Sequence, residues 1–305
     1  MTLVLSIFSQ DILPIFVIAG IGFLLARRFG ANVKTLSTVS FHALSPCLVF
    51  DQLVSAKVSG AQSWRVALFC VLLTAAIGVV ARLAASPLKL DRTTLSSFML
   101  VVMFSNSGNY ALPVVLFAFG RESLAFASVY FVTSAILVYT CGVFVAASGR
   151  GSLRSALLGV TRVPAVYAVV AAVAVLATGA PVPLAVMRPI GLLSAAAIPV
   201  MLLVLGMQLE RATMPAHPAA VAVAVGLSLV VAPILAFALS AMLGLAGAAR
   251  QAAIVEASMP AAVITTVLAL EFNLDAGFST SVVMFSTLLS PFTLVLLIAY
   301  LQRGF

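Results

Sequence analysis

The chain has 305 residues, 63% of them hydrophobic and 8% charged, with a mean hydropathy of +1.25. A soluble domain carries about 25% charged residues, so this composition excludes a water-soluble enzyme or binding module and points to an integral membrane protein built of helices. The net charge of +8 does not signal a nucleic-acid partner: Lys and Arg stand singly or in pairs at the ends of apolar runs, as topology requires, and no basic stripe is interleaved with aromatics.

Ten apolar runs follow one another, at about 8–26, 35–55, 64–85, 93–119, 123–147, 159–179, 184–209, 217–243, 250–271 and 277–301. Each is near the roughly 20 residues that cross about 30 Å of hydrocarbon. None alternates polar and apolar residues as barrel strands do. Before the first run stands no Lys or Arg, and Arg27-Arg28 follow it. That order is wrong for a cleaved signal peptide and reads as a first membrane helix. The connections are short and leave no room for a soluble domain. The longest basic one, Ser148 to Arg154, divides the chain into residues 1–149 and 150–305, each with five runs.

Basic residues orient these runs. Arg27, Arg28, Lys34, Arg82, Lys89, Arg92, Arg150, Arg154, Arg162 and Arg211 fall on one side; Lys57, Arg65, Arg121, Arg188, Arg250 and Arg303 fall on the other. The positive-inside rule assigns the richer set to the cytoplasm, so both termini face outward.

Run four contains Ser105-Asn106-Ser107-Gly108-Asn109-Tyr110-Ala111-Leu112-Pro113. Proline removes a backbone donor and glycine relaxes the backbone, so a break is expected here, near Pro113. The plainer reading is a kinked helix whose Asn and Ser bond its neighbours. Against it stands a second such stretch, Ser258-Met259-Pro260-Ala261 in run nine. Pro46 and Pro199 lie 153 residues apart, and Pro113 and Pro260 lie 147 apart. Prolines in register over half the chain read as an internal repeat. An odd number of runs per half inverts the second copy, the plan of many secondary transporters. The expected fold class is therefore all-α, with ten transmembrane helices in two inverted five-helix repeats. Helices four and nine are broken and cross near the midplane.

Broken helices leave half-helix N-termini that suit an anion. Asn106, Asn109 and Tyr110 add neutral hydrogen-bonding groups, and no Lys or Arg falls in mid-run. A carboxylate held by helix ends and amides is the expected substrate group. Two acids inside runs, Glu256 and Asp51, are the candidates for carrying a coupling ion, since intramembrane carboxylates are costly. Asp51 also reads as an interfacial residue, and His42 as a packing residue. Ser258 and the hydroxyls of runs nine and ten add polarity and mostly bond their own helix carbonyls. Cys47, Cys70 and Cys141 have no metal-ligand spacing and read as small core residues. HExxH, GxSxG and P-loop motifs are absent, so no catalytic residue, cofactor or metal is expected.

Three segments resemble the auxin efflux carrier family. Phe104 to Pro113 is similar to its Asn-x-Gly-x-x-Gly-x-Pro motif, Glu256 to Val263 to its Met-Pro motif, and Phe41 to Pro46 to its first proline segment. Ala111 departs from the pattern, where glycine is usual. The resemblance implies spans 1, 2, 6 and 7 as a scaffold and spans 3–5 and 8–10 as a moving transport domain. It implies crossing at Pro113 and Pro260, and Asn106, Gly108, Asn109, Pro113, Met259 and Pro260 at the site. Family substrates are organic anions, including malonate, malate and auxin, and plant members are homodimers. The short middle connection fits a bacterial inner-membrane protein. The expectation is an alternating-access carrier of a small organic anion, coupled to H+, coupled to Na+, or driven by the membrane potential. The alternatives are a cation/proton antiporter, which normally has paired mid-span acids, and a membrane ligand sensor.

Overall fold

The computed structural model describes residues 2–56, 60–147, 163–179, 181–210 and 217–303. The middle basic connection with Arg150, Arg154 and Arg162 lies outside these, as do Lys57 and Arg211. The described residues form helices joined by turns and short non-helical links, with one isolated antiparallel bridge, between Ser105 and Ala261.

Among the described residues, six helices are long and apolar enough to cross a membrane: Leu3–Phe29, Gly60–Leu88, Ser107–Ala146, Leu184–Leu209, Pro218–Met242 and Ala276–Gln302. The third is divided at Gly120, whose φ of 79° and ψ of −169° leave the helix. A side chain at that φ is strained, so the turn depends on glycine. In chain order we number α1 (Leu3–Phe29), α2 (33–56), α3 (Gly60–Leu88), α4 (Arg92–Met103), α5 (107–119), α6 (121–146), α7 (Pro164–Thr178), α8 (Leu184–Leu209), α9 (Pro218–Met242), α10 (Gly247–Ala257), α11 (Ile264–Glu271) and α12 (Ala276–Gln302).

Capping residues start several of these helices where the sequence places them. Asn32 accepts the Thr35 N–H and opens α2. Asp91 accepts the N–H groups of Thr93 and Thr94 at 2.8 and 3.0 Å and opens α4. Asp275 accepts the Phe278 N–H at 2.8 Å and opens α12. Each satisfies orphan donors of a first helical turn.

The in-register prolines behave differently. Pro46 follows a π-type turn over Ser40–Leu44, where the Ser45 hydroxyl bonds the Ser40 carbonyl at 2.8 Å. The widened turn makes room for the ring and re-satisfies a freed carbonyl. Pro199 sits inside an otherwise continuous α8.

α1 packs on α8, and α2 packs on both α7 and α8; α3–α6 pack with α9–α12. α1 also touches α12, and α1, α2 and α8 touch the α5–α6 run. Between α1 and α8 the approach is glycine on backbone. A Cβ on Gly206 would lie 1.6 Å from the Ala19 carbonyl oxygen, and one on Gly22 would lie 2.1 Å from that of Leu203. Only glycine lets α1 and α8 come this near, the small-residue contact that membrane helices use.

Buried polar residues are mostly Ser and Thr, while large apolar side chains such as Leu24, Leu83, Leu192, Ile234 and Phe292 are exposed. That is the reverse of a soluble core and fits lipid as the outer medium. Three long-range contacts join ends that the charge pattern assigns to the same face. The Arg65 guanidinium donates to the Gly244 carbonyl at 3.1 Å, the Thr94 hydroxyl to Asp275 at 3.1 Å, and the Gln302 amide to the Ala118 carbonyl at 3.2 Å.

Candidate functional site: the paired helix breaks

The site begins with two interruptions. α4 ends at Met103, and Phe104 is extended at φ −120° and ψ 108°. α10 ends at Ala257, and the chain stays non-helical until Ile264. The two stretches meet. The Asn106 N–H donates to the Pro260 carbonyl at 2.7 Å, and the Ala262 N–H donates to the Phe104 carbonyl at 2.9 Å. These bonds satisfy backbone groups that leaving the helix had freed, which a low-dielectric interior demands. Pro260 has no N–H to offer and serves as acceptor only. The Ala261 N–H turns to the Ser286 hydroxyl of α12 at 3.2 Å.

The first break is not at Pro113. It lies at Phe104–Asn106, and Pro113 stands inside the helix that resumes at Ser107, directly after a π-type turn at Ser107–Ala111. As at Pro46, the widened turn makes room for the ring, whose missing N–H frees a carbonyl of that turn. Pro113 thus sits in a helix that has already resumed, while Pro260 helps to hold one open.

Other predicted site residues fall as follows. Asn106 is buried and its amide nitrogen has no hydrogen-bond partner among the described residues. Asn109 is half-buried on the same turn. Gly108 faces Phe131 of α6, with a Cβ placed there 2.9 Å from the ring. Tyr110 is fully buried; its hydroxyl meets the Ser290 hydroxyl at 3.0 Å and its ring stands edge-on to Phe16 of α1 at 6.0 Å. Ser258, Met259 and Pro260 are all buried, and the Ser258 hydroxyl donates to the Ile254 carbonyl at 2.7 Å.

The two acids part company. Glu256 is fully buried one residue before the end of α10, and neither carboxyl oxygen has a hydrogen-bond partner among the described residues. Asp51 accepts from the Ser194 hydroxyl of α8 at 2.8 Å and the Ser55 hydroxyl at 3.3 Å. It ties α2 to α8 and is not joined to either break.

Sequence reasoning left Ser290 of this shell unnamed and read Cys70 as a plain core residue. Ser286 and Ser290 come from α12, and Cys70 from α3. Tyr130 of α6 hydrogen-bonds Ser105 and lies within electrostatic reach of Cys70 and Glu256. A long-range partner of this kind leaves no local periodicity to read. A cavity of about 20 Å³, lined in part by Thr74, Ser105, Tyr130, Ser228 and Met259, sits beside the first break. It has room for roughly one water, so the crossover is closed to a molecule of substrate size in this conformation. A wider groove of about 540 Å³ opens between α9, α10 and α12 and is lined by Arg250, Phe237, Tyr300 and Ser258 among others.

Comparison with known proteins matches residues 7–155 and 148–298 to the family described as Membrane transport protein. An uncharacterized transporter of Methanothermobacter thermautotrophicus is 27% identical over 293 residues, covering 94% of this chain and 96% of that protein. An uncharacterized transporter of Methanocaldococcus jannaschii is 25% identical over 276 residues, covering 87% of this chain and 88% of that protein. Both relatives are archaeal, and both point to transport and away from enzymatic chemistry. With its apolar helices and paired breaks, this multi-pass chain belongs to the membrane transport protein family, the auxin efflux-like carriers that its three proline-bearing segments resemble.

Proposed function

We propose that this protein is a secondary transporter of a small organic anion, a mono- or dicarboxylate, working by alternating access. Counting α4–α5 and α10–α11 each as one interrupted crossing gives ten crossings. They form two inverted repeats, residues 1–149 and 150–305, in the cytoplasmic membrane of a prokaryote with both termini outward. α1, α2, α7 and α8 are the scaffold, through which two copies pair. α3–α6 and α9–α12 are the bundle that moves against it.

One observation carries the reading: two helix breaks bonded to each other, beside a buried amide, Asn106, with an unpartnered nitrogen. The N-terminal ends of α5 and α11 present backbone N–H groups and partial positive charge beside that amide, a setting that favours a carboxylate without a fixed cation. Discontinuous helices at a repeat interface are where secondary transporters bind their substrates. A moving bundle can open the closed crossover to either side. Binding energy alone cannot pump, so a driving force must bias the two states.

The test is flux into liposomes holding the purified protein, with labelled malonate, malate and indole-3-acetate. Each is run with and without proton, sodium and potential gradients. Saturable uptake of one of these, reduced about tenfold or more by Asn106→Ala or Asn109→Ala, is the expected result. Uptake of all three indifferent to both substitutions would remove the crossover from the site. Binding without flux under every gradient would favour a sensor.

A further inference from the structure

The carboxyl of Glu256 stands in an unusual position. None of its residue surface is exposed, and both oxygens lack a hydrogen-bond partner among the described residues. It sits in the last turn of α10, the negative end of that helix, which opposes a second negative charge. An ionised carboxylate so enclosed loses several kcal/mol of hydration with nothing to replace it.

No described charged side chain faces it. α3 brings the Cys70 thiol, and α6 brings the Tyr130 phenol. α5 brings Tyr110, whose hydroxyl is bonded to Ser290. Arg121 and Glu122, at the start of α6, are exposed. α9 carries no titratable residue from Pro218 to Met242, and α12 carries only Tyr300, near its far end. On its own helix the next charge is Arg250, six residues earlier, whose guanidinium lies 6.0 Å over the Phe237 ring. A sodium ion would need a shell of oxygen ligands, as hard cations do. The Glu256 oxygens have no hydrogen-bonding neighbour with which to share one.

We infer that Glu256 is the proton-coupling residue of this carrier: it is a neutral acid in the closed arrangement seen here and in the anion-loaded crossing, and gives its proton to water when the crossover opens. This rests on the reading of the crossover as the anion site. The one-water cavity is lined by Ser105, Tyr130 and Ala257, the residue after Glu256, so space for a water with hydroxyls around it stands beside the end of the acid's helix. The bookkeeping is simple. The proton crosses with the anion on the neutral acid and both leave on the far side; the emptied carrier returns with Glu256 as the carboxylate, which regains a proton on the first side. A monoanion carried with that proton moves no net charge; a dianion carried with it moves one negative charge. Protonation also removes a like charge beside the anion, so proton and anion each strengthen the binding of the other by the same factor.

Two measurements test this. The first needs no substrate: the infrared carbonyl band of a protonated carboxyl, compared between wild type and Glu256→Gln at neutral pH. The wild-type protein shows the band and Glu256→Gln lacks it; identical spectra overturn the proposal. The second uses liposomes with malonate outside and a pH-sensitive dye inside. Malonate entry carries protons in the wild type, and an imposed pH gradient drives accumulation. Glu256→Gln lowers that gradient-driven accumulation by about tenfold or more, while Glu256→Asp keeps part of it and Asp51→Asn keeps it all. Equal elution on size exclusion checks that the variants fold. Malonate flux without proton movement, or driven by sodium at fixed pH, overturns proton coupling and leaves the anion carrier standing. Absence of flux for every anion tested overturns the carrier reading instead, and the infrared comparison still decides whether Glu256 holds a proton.

Discussion

In the α4–α5 run the chain leaves the helix after Met103, with no proline until Pro113; in the α10–α11 run it leaves after Ala257, with Pro260 inside the open stretch. The first break is Phe104, Ser105 and Asn106, with no proline; the second, Ser258 to Val263, is mostly apolar and small residues around a proline. The first begins from a helix capped by Asp91, whereas α10 starts at Ala246 without a side-chain cap. The second has Glu256 one residue before the end of its leading helix, and the first has Val102 at the matching position. Yet the two are bonded into one antiparallel bridge. The difference shows that a break needs somewhere for its backbone groups to go more than it needs a particular residue. Each stretch is the other's partner, and a proline is only one way of being unable to stay helical.

That comparison can be broken from the second side first. Ser286 is the acceptor for the Ala261 N–H. Ser286→Ala leaves that N–H buried without a partner, which costs about 1–3 kcal/mol. The expected outcome is a clear drop in the thermal midpoint of the detergent-solubilised protein. An unchanged midpoint would mean that α12 does not hold the second break open.

The first side is tested at Gly108. A Cβ there would lie 2.9 Å from the Phe131 ring, a contact that forces the ring or the π-type turn to shift. Overpacking of this kind costs about 1–3 kcal/mol. Gly108→Ala should therefore destabilise, and Phe131→Leu in the same protein should recover most of the loss. Destabilisation without recovery would place the cost in the backbone of the turn and not in the ring.

A smaller effect separates the leading helices. Asp91 accepts from the Thr93 hydroxyl at 2.6 Å and the Thr94 hydroxyl at 2.8 Å, besides the two N–H groups. The Thr93 hydroxyl first, then the Thr94 donors, hold its carboxyl below the ordinary carboxylate range. A carboxyl depressed in the folded state stabilises above its unfolded value, and that stabilisation is lost as pH falls through the folded value. Asp91→Ala should cost about 0.5–2 kcal/mol at neutral pH. The gap between the midpoints of wild type and variant should stay level down to the ordinary carboxylate range and close only below it. A gap that grows on acidification would contradict the assignment.

Much of this was legible in the chain. Long apolar runs, short connections and polar interruptions show a membrane protein with two broken helices, because each feature is local. Asn106 and Pro260 stand in the paired stretches for the same reason. The exact place of the first break was not legible. Gly108 and Pro113 pull the eye forward, but the extended residues are Phe104 and Ser105, whose departure from the helix depends on Pro260 and Ala262, over 150 residues away. Glu256 was visible as an acid in an apolar run; that it has no partner was not, because that follows from what α3, α6, α9 and α12 bring to it. Asp51 looked similar in sequence and differs only because Ser194 of α8 is there to bond it.

The smallest expected effect is the sharpest on the comparison itself. Pro113→Ala restores an N–H just after the π-type turn of Ser107–Ala111, inside a helix that is already continuous from Ser107. Its cost is the lost restriction of the unfolded chain, about 0.4–1 kcal/mol. Pro260→Ala adds an N–H inside the non-helical stretch, beside the Pro260 carbonyl that accepts from Asn106. There the new donor gives the second break a route back toward helix, and anion flux in liposomes should fall further than for Pro113→Ala. If Pro113→Ala instead proves the more damaging to flux, its ring matters for more than its fit after that turn, and the two prolines would have to be treated as equivalent parts of one device.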